Sequence, residues 1–269
     1  MSMPPATPAE LPVLRLKRNE DRRLMAGHLW VFSNEVDIAQ TPLGRFQPGE
    51  LVRILAHNDK ALGLAYVNPQ SLICARLLQG WEMPTAAWFA QRLRQALALR
   101  ERLYAQPCYR WVYGESDALP GLVIDRFGAD CVLQITTAGM QRLLPQILEA
   151  VREVAAPARI LLKNDGALRG MEGLPLEVQW VQGAAGGGTA LTENGLHYRI
   201  DLDQGQKTGW FYDQADNRRR LARYVRPGAR VLDVFCYAGA WGISAAHHGA
   251  AQVLCVDASL PALEAVAAN

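Results

Sequence analysis

Apolar and polar positions alternate in short runs through the segment 13–80. "LVRILA", "ALGLAYV" and "LICARLL" are separated by the turn signals "QPGE" and "HND", a pattern that predicts three strands. Ahead of them, "KRNEDRRLMAGHLWVF" predicts a basic helical turn leading into a further strand. The period then changes. "TAAWFAQRLRQALALRERLY" places Phe89, Leu93 and Leu97 at i, i+4 and i+8, one apolar helical face. "GLVIDRFGADCVLQITT" predicts two strands joined at Phe-Gly-Ala-Asp. "LLPQILEAVREV" predicts a helix stacking Leu144, Ile147, Leu148 and Val151, and "RILLK" a strand. The glycine run Gly183–Gly188 predicts a flexible joint. Beyond it, "LTENGLHYRIDL" is expected to form one alternating strand. "VLDVFCYAGAWGISAAHHGAAQVLCVDAS" (231–259) is expected to form a strand, a small-residue loop, a helix and a strand ending in an acid.

These runs divide the chain into a disordered, Pro-rich lead-in over 1–12, a small β domain over 13–80, an α+β unit over 81–188 and the first part of an α/β domain over 189–269. A doubly wound sheet needs more strands than the last segment holds, so the domain is expected to be incomplete, continuing beyond Asn269. At 269 residues, 50% hydrophobic and 20% charged, the composition is that of a globular protein. A formal charge of +2 permits a nucleic-acid partner without arguing for one. The five cysteines (Cys74, Cys108, Cys131, Cys236, Cys255) are scattered with no C-x-x-C pair. Neither a zinc site nor a disulfide framework is expected, and a reducing cytoplasm fits. No apolar run approaches a membrane span.

The chemistry concentrates in the loop after Val231–Val234. Gly239 and Gly242 allow close backbone approach, and the following helix offers free N–H groups. Asp257 lies about twenty residues further, where a carboxylate can accept ribose hydroxyls. A dinucleotide site would carry G-x-G-x-x-G, whereas the spacing here is G-A-W-G. Asp233 opens the loop and would repel a pyrophosphate but tolerate a sulfonium. S-adenosylmethionine is therefore favoured over NAD; a purely structural strand–helix–strand unit is the remaining alternative.

This loop resembles motif I and the following acidic strand end of class I S-adenosylmethionine-dependent methyltransferases. "GQKTGWFYDQADNRR" resembles the Lys-Thr-Gly…Asp-Gln-Arg…Arg signature of bacterial 23S rRNA cytosine-C5 methyltransferases, with Ala215 standing where that pattern has Arg. "GESDALPGLVIDRFG" is similar to a stretch of their central domain, and "GHLWVFSNEV" to the start of their N-terminal PUA domain. The resemblance covers 13–269. It implies a multidomain fold: a small PUA-like β-barrel that binds RNA, an α+β central domain and an incomplete α/β Rossmann-like methyltransferase domain.

Carried over, Asp233, Phe235, Tyr237 and Gly239 would line the methionine and ribose side of S-adenosylmethionine. Asp257 would take the ribose hydroxyls with Ser259 nearby, and Asp213 and Gln214 would close over the cofactor. Lys17, Arg18, Arg22 and Arg23, beside Trp30 and Phe32, suit RNA, as do Lys207 and Arg218. Arg218, Arg219, Arg220 and Arg223 cover too much of a helix to share one buried face, so some must meet solvent or phosphate. The resemblance implies methylation of cytosine C5 in 23S rRNA or a ribosomal particle, with a nucleophilic cysteine beyond Asn269. Cys236 is not expected to be that nucleophile, and the 269-residue chain is not expected to be active alone. A non-catalytic RNA-binding module and a methyltransferase acting on another RNA atom are the alternatives.

Overall fold

The computed structural model describes residues 7–269; part of the 1–12 lead-in lies outside the described residues. The first sheet combines β1 (Val13–Arg15), β2 (Trp30–Val31), β3 (Glu50–Leu55), β4 (Ala61–Val67) and β5 (Ala75–Leu78) in the order β1-β3-β4-β5-β2, with α1 (Arg22–Met25) before β2. Only β1 and β3 run parallel. Its core is Leu14, Leu16, Val31, Phe46, Val52, Ile54, Ala65 and Val67. β1, which the sequence pattern left unassigned, is a three-residue strand whose only fully inward residue is Leu14.

The central unit carries α2 (Ala86–Leu103), β6 (Cys108–Tyr113), β7 (Leu122–Phe127), β8 (Asp130–Ile135), α3 (Ala138–Arg142), α4 (Leu144–Ala155), β9 (Arg159–Asn164), α5 (Leu168–Met171) and β10 (Glu177–Gln182). The sheet order is β10-β9-β8-β7-β6, antiparallel except for β8 and β9. α2 starts where the Thr85 hydroxyl accepts from Trp88 N. Phe89 and Leu93 are fully buried and Leu97 packs at the margin, as the helical period predicts.

Alternation on the sheet sends side chains to two different cores. Cys131, Leu133, Ile160 and Leu162 meet α2 and α4 on one face. Val132, Leu161 and Phe127 meet the last segment on the other, with Leu191, Tyr198, Ile200 and Trp210.

That last segment begins with β11 (Thr189–Glu193) and β12 (Leu196–Ile200), an antiparallel hairpin. The single strand expected over "LTENGLHYRIDL" is therefore two. Asn194 (φ 53°) and Gly195 (φ 81°) both occupy the left-handed region that a tight two-residue hairpin turn requires. α6 (Ala215–Leu221), β13 (Arg230–Val234), α7 (Ala240–His247), β14 (Gln252–Val256) and α8 (Leu260–Ala268) follow, with β13 and β14 parallel. Leu232, Val234, Leu254 and Val256 stay exposed on one face of this pair, unlike the usual parallel sheet covered on both faces.

The glycine run is held rather than loose. Arg159 donates from Nη1 to Gly186 O (2.8 Å), and its guanidinium also grips the Asp130 carboxylate. A Cβ at Gly183 would stand 2.7 Å from Ala158 O. No helix among the described residues is long and apolar enough to cross a membrane.

Candidate functional site

The loop between β13 and α7 is short and tightly wound. Phe235 (φ 61°), Tyr237 (φ 49°) and Gly239 (φ 77°) alternate through the left-handed region, which folds the backbone over the strand ends. Cys236 N reaches across to Val256 O at 3.1 Å, closing the turn onto β14. Gly242 lets α7 settle on the strands: a Cβ there would meet Cys255 Sγ at 2.6 Å.

Two carboxylates organise this loop from opposite environments. Asp233 accepts from Gly242 N at 2.9 Å, tying β13 to the first turn of α7. Burial holds its pKa above the ordinary carboxylate value, the Gly242 hydrogen bond opposes that, and the Asp257 charge adds to it. Asp257 accepts from Ser259 N (Oδ1, 2.9 Å) and Tyr237 N (Oδ2, 2.9 Å). Those backbone donors hold its pKa below the usual range, so it is ionised at neutral pH. Each oxygen keeps a lone pair beyond its backbone donor. Ser259 caps α8 through Ala262 N.

Tyr237 links the loop to the "QKTG" turn: its hydroxyl donates to Gly209 O (3.0 Å) and accepts from Gln206 N (3.2 Å). Phe211 packs edge-on against its ring, and Lys207 Nζ sits 5.1 Å from the Phe211 centroid. Tyr237 and Ser259 also line a cavity of about 310 Å³ with Arg199, Asp201, Gln204 and Glu264.

Thr208 carries a connection that sequence reading missed. Its hydroxyl donates to Asp125 Oδ2 (2.5 Å), and Arg110 grips the same fully buried carboxylate through Nε and Nη2, each at 2.9 Å. The "KTG" turn and the "GLVIDRF" strand, both noted as motifs, are thus one hydrogen-bonded unit. Spacing along the chain carries no trace of this pairing.

The other expected site residues separate. Asp213 and Gln214 lie on a 3-10 turn (Tyr212–Gln214), and Asp213 faces a groove shared with Arg110, Tyr113 and Lys207. Phe235 is 87% exposed. Lys17, Arg18 and Arg22 are exposed, with Lys17 Nζ donating to Asn34 O; Arg23 pairs with Glu35 and lies over Phe32.

Arg218 is not available to RNA. It is 3% exposed and gives two hydrogen bonds to Glu193 (2.6 and 2.7 Å), which also accepts from Trp210 Nε1. A guanidinium buried against a buried carboxylate and an indole ring anchors α6 to the hairpin instead. Burial pushes the Cys236 thiol up to about 11, which leaves it protonated at neutral pH. Among the described residues no cluster of His, Cys, Asp and Glu could hold a metal ion.

Residues 14–79 match a PUA-like domain family, and residues 138–268 match the S-adenosylmethionine-dependent methyltransferase family. The ribosomal RNA large subunit methyltransferase I of Salmonella schwarzengrund is 34% identical over 276 residues, covering 99% of this chain and 67% of the relative. The chain belongs to the family of these methyltransferases. The methyltransferase I of Cronobacter sakazakii is 36% identical over 269 residues, and the chain spans 65% of that relative's length. In fold, a putative SAM-dependent methyltransferase from Streptococcus mutans superposes with a TM-score of 0.78 at 20% identity, over 96% of this chain and 66% of that one. A putative methyltransferase complexed with SAH superposes at 0.79, also at 20% identity and with the same coverage.

Proposed function

We propose that this chain is the RNA-recognition and cofactor-binding part of a cytoplasmic methyltransferase that modifies cytosine C5 in 23S rRNA. S-adenosylmethionine would supply the methyl group from its sulfonium, with S-adenosylhomocysteine leaving as the neutral thioether. Asp257 holds the cofactor's ribose by accepting its two hydroxyls on the lone pairs that Tyr237 N and Ser259 N leave open. The loop Phe235–Gly239 shapes the amino-acid side, and the Asp233 carboxylate beneath it sets a negative field that suits a sulfonium. The exposed cations Lys17, Arg18, Arg22 and Lys207 meet RNA. For C5 to attack the methyl group a thiolate must first add to C6, and it is expelled again when the C5 proton is lost; a protonated, buried Cys236 does not supply that thiolate.

The observation that carries the reading is the position of Asp257 just past the second parallel strand, its carboxylate fixed by two backbone donors. Calorimetric titration with S-adenosylhomocysteine tests it. Asp257→Ala is expected to weaken binding about 10- to 100-fold, the worth of charge-assisted hydrogen bonds. Unchanged affinity would remove the site. For the target atom, 23S rRNA from a strain lacking the gene is expected to lose one 5-methylcytidine by mass spectrometry. Retention of every 5-methylcytidine overturns the C5 assignment.

A further inference from the structure

The arginines of α6 and of the turn that follows it divide. Arg218 turns into the core, while Arg219, Arg220 and Arg223 surround a surface recess of about 590 Å³ with Tyr224 and His248. No carboxylate lines this recess. Among the described residues Arg220 and Arg223 make no ion pair, and Arg219 holds only an exposed partner, Asp216, at 2.8 Å. Tyr224 is 80% exposed, although nothing in the fold requires a bare aromatic ring at this turn. His248 donates from Nδ1 to Ser244 O at 2.7 Å. The C-terminal end of a helix favours a cation there, but that preference accounts neither for three clustered guanidinium groups without a shared acid nor for the open tyrosine.

We propose that this recess is a second RNA-binding site, which takes the phosphodiester backbone of an unpaired rRNA segment on Arg220 and Arg223 and stacks a base on Tyr224. The inference rests on the RNA-methyltransferase reading above and extends it. α7 runs from Gly239 in the cofactor loop to His248 at the recess, so the two lie at opposite ends of an eight-residue helix, about 12 Å long. The recess therefore binds RNA flanking the modified nucleotide and leaves cofactor affinity alone.

Filter binding of the full chain to purified 23S rRNA, across about 50 to 300 mM KCl, tests this directly. Arg220→Gln with Arg223→Gln is expected to weaken binding and to flatten the slope of log affinity against log salt by about 1.5, the signature of two lost phosphate contacts. Tyr224→Ala is expected to weaken binding about 5- to 100-fold with the slope unchanged. Arg94→Gln with Arg152→Gln, the same charge change on the exposed faces of α2 and α4, is the control. S-adenosylhomocysteine titration and thermal melting should match the parent for every variant. If the parent binds RNA and the recess variants behave like the control, the recess is only a solvated face and the function proposed above stands. If the parent binds no RNA at the lowest salt, both fall together.

Discussion

Asp233 on β13 and Asp257 just past β14 bracket one loop, yet their pKa values move in opposite directions. Partial burial raises Asp233, and two backbone N–H groups lower Asp257. A carboxyl raised in the folded state costs stability once pH rises through that folded value, and costs nothing where both states are protonated. Asp233→Asn keeps an oxygen for Gly242 N and removes the charge. The variant is expected to melt above the parent at neutral pH, and the gain should vanish as pH falls below the unfolded value of 3.8. Asp257 has the reverse sign: its contribution is present above its unfolded value and is lost as pH falls through the lowered folded value. Asp257→Asn is thus expected to melt below the parent at neutral pH. Melting curves followed by circular dichroism across that range check both signs. Equal melting of Asp233→Asn and parent at neutral pH would mean that burial at this position costs nothing.

At the scale of elements, α6 shows how polar patterning misassigns a face. The pattern of "NRRRLARYV" sends some of its arginines to solvent or phosphate and assigns Arg218 to RNA, but Arg218 is the residue that faces Glu193, Trp210 and Trp241. Its partner lies 25 positions earlier, on β11. Arg218→Ala would leave Glu193 buried and unpaired, a loss of about 3–5 kcal/mol. Urea unfolding is expected to show that loss, and Glu193→Gln combined with Arg218→Met to recover part of it. A loss under about 1 kcal/mol would place the pair among weak surface bridges. The hairpin β11–β12 went unseen for a different reason. Asn194-Gly195 is a strong turn signal, but it lies inside an unbroken alternation that a single strand satisfies equally well.

Across the whole molecule, the segments share cores and buried polar nodes. Tyr66 and Leu78 of the first sheet pack in the core of the central unit, and the Tyr66 hydroxyl donates to Pro120 O at 2.8 Å. Gly139 makes room for that ring, since a Cβ there would come within 2.0 Å of it. Glu172, buried, accepts from Asn68 Nδ2 (2.8 Å), Arg76 Nη1 (3.1 Å) and Ala138 N (3.2 Å), joining three stretches distant in sequence. Glu172→Ala strands those donors. Hydrogen exchange is expected to quicken across β3, β4 and β5 while β13 and β14 keep the parent rate. Unchanged exchange in β3–β5 would show that the shared apolar core alone holds the first sheet. The Asp125–Arg110–Thr208 node does the same work between the central sheet and the "QKTG" turn.

Periodicity alone determined the strands of the first sheet other than β1, helices α2 and α4, and the strand–loop–helix–strand order around Asp233 and Asp257, because each depends on contacts near in sequence. Glycine spacing and the acid Asp233 at the start of the loop were enough to favour an adenosyl sulfonium over a dinucleotide, since backbone approach and charge are local properties. β6 and β10, the buried place of Arg218, the joining of Thr208 to Asp125 and the gathering of Arg220, Arg223 and Tyr224 around one recess were decided by the tertiary structure. Each of these depends on a partner far along the chain. Whether a polar side chain faces water or a buried counter-charge is settled only when that partner arrives.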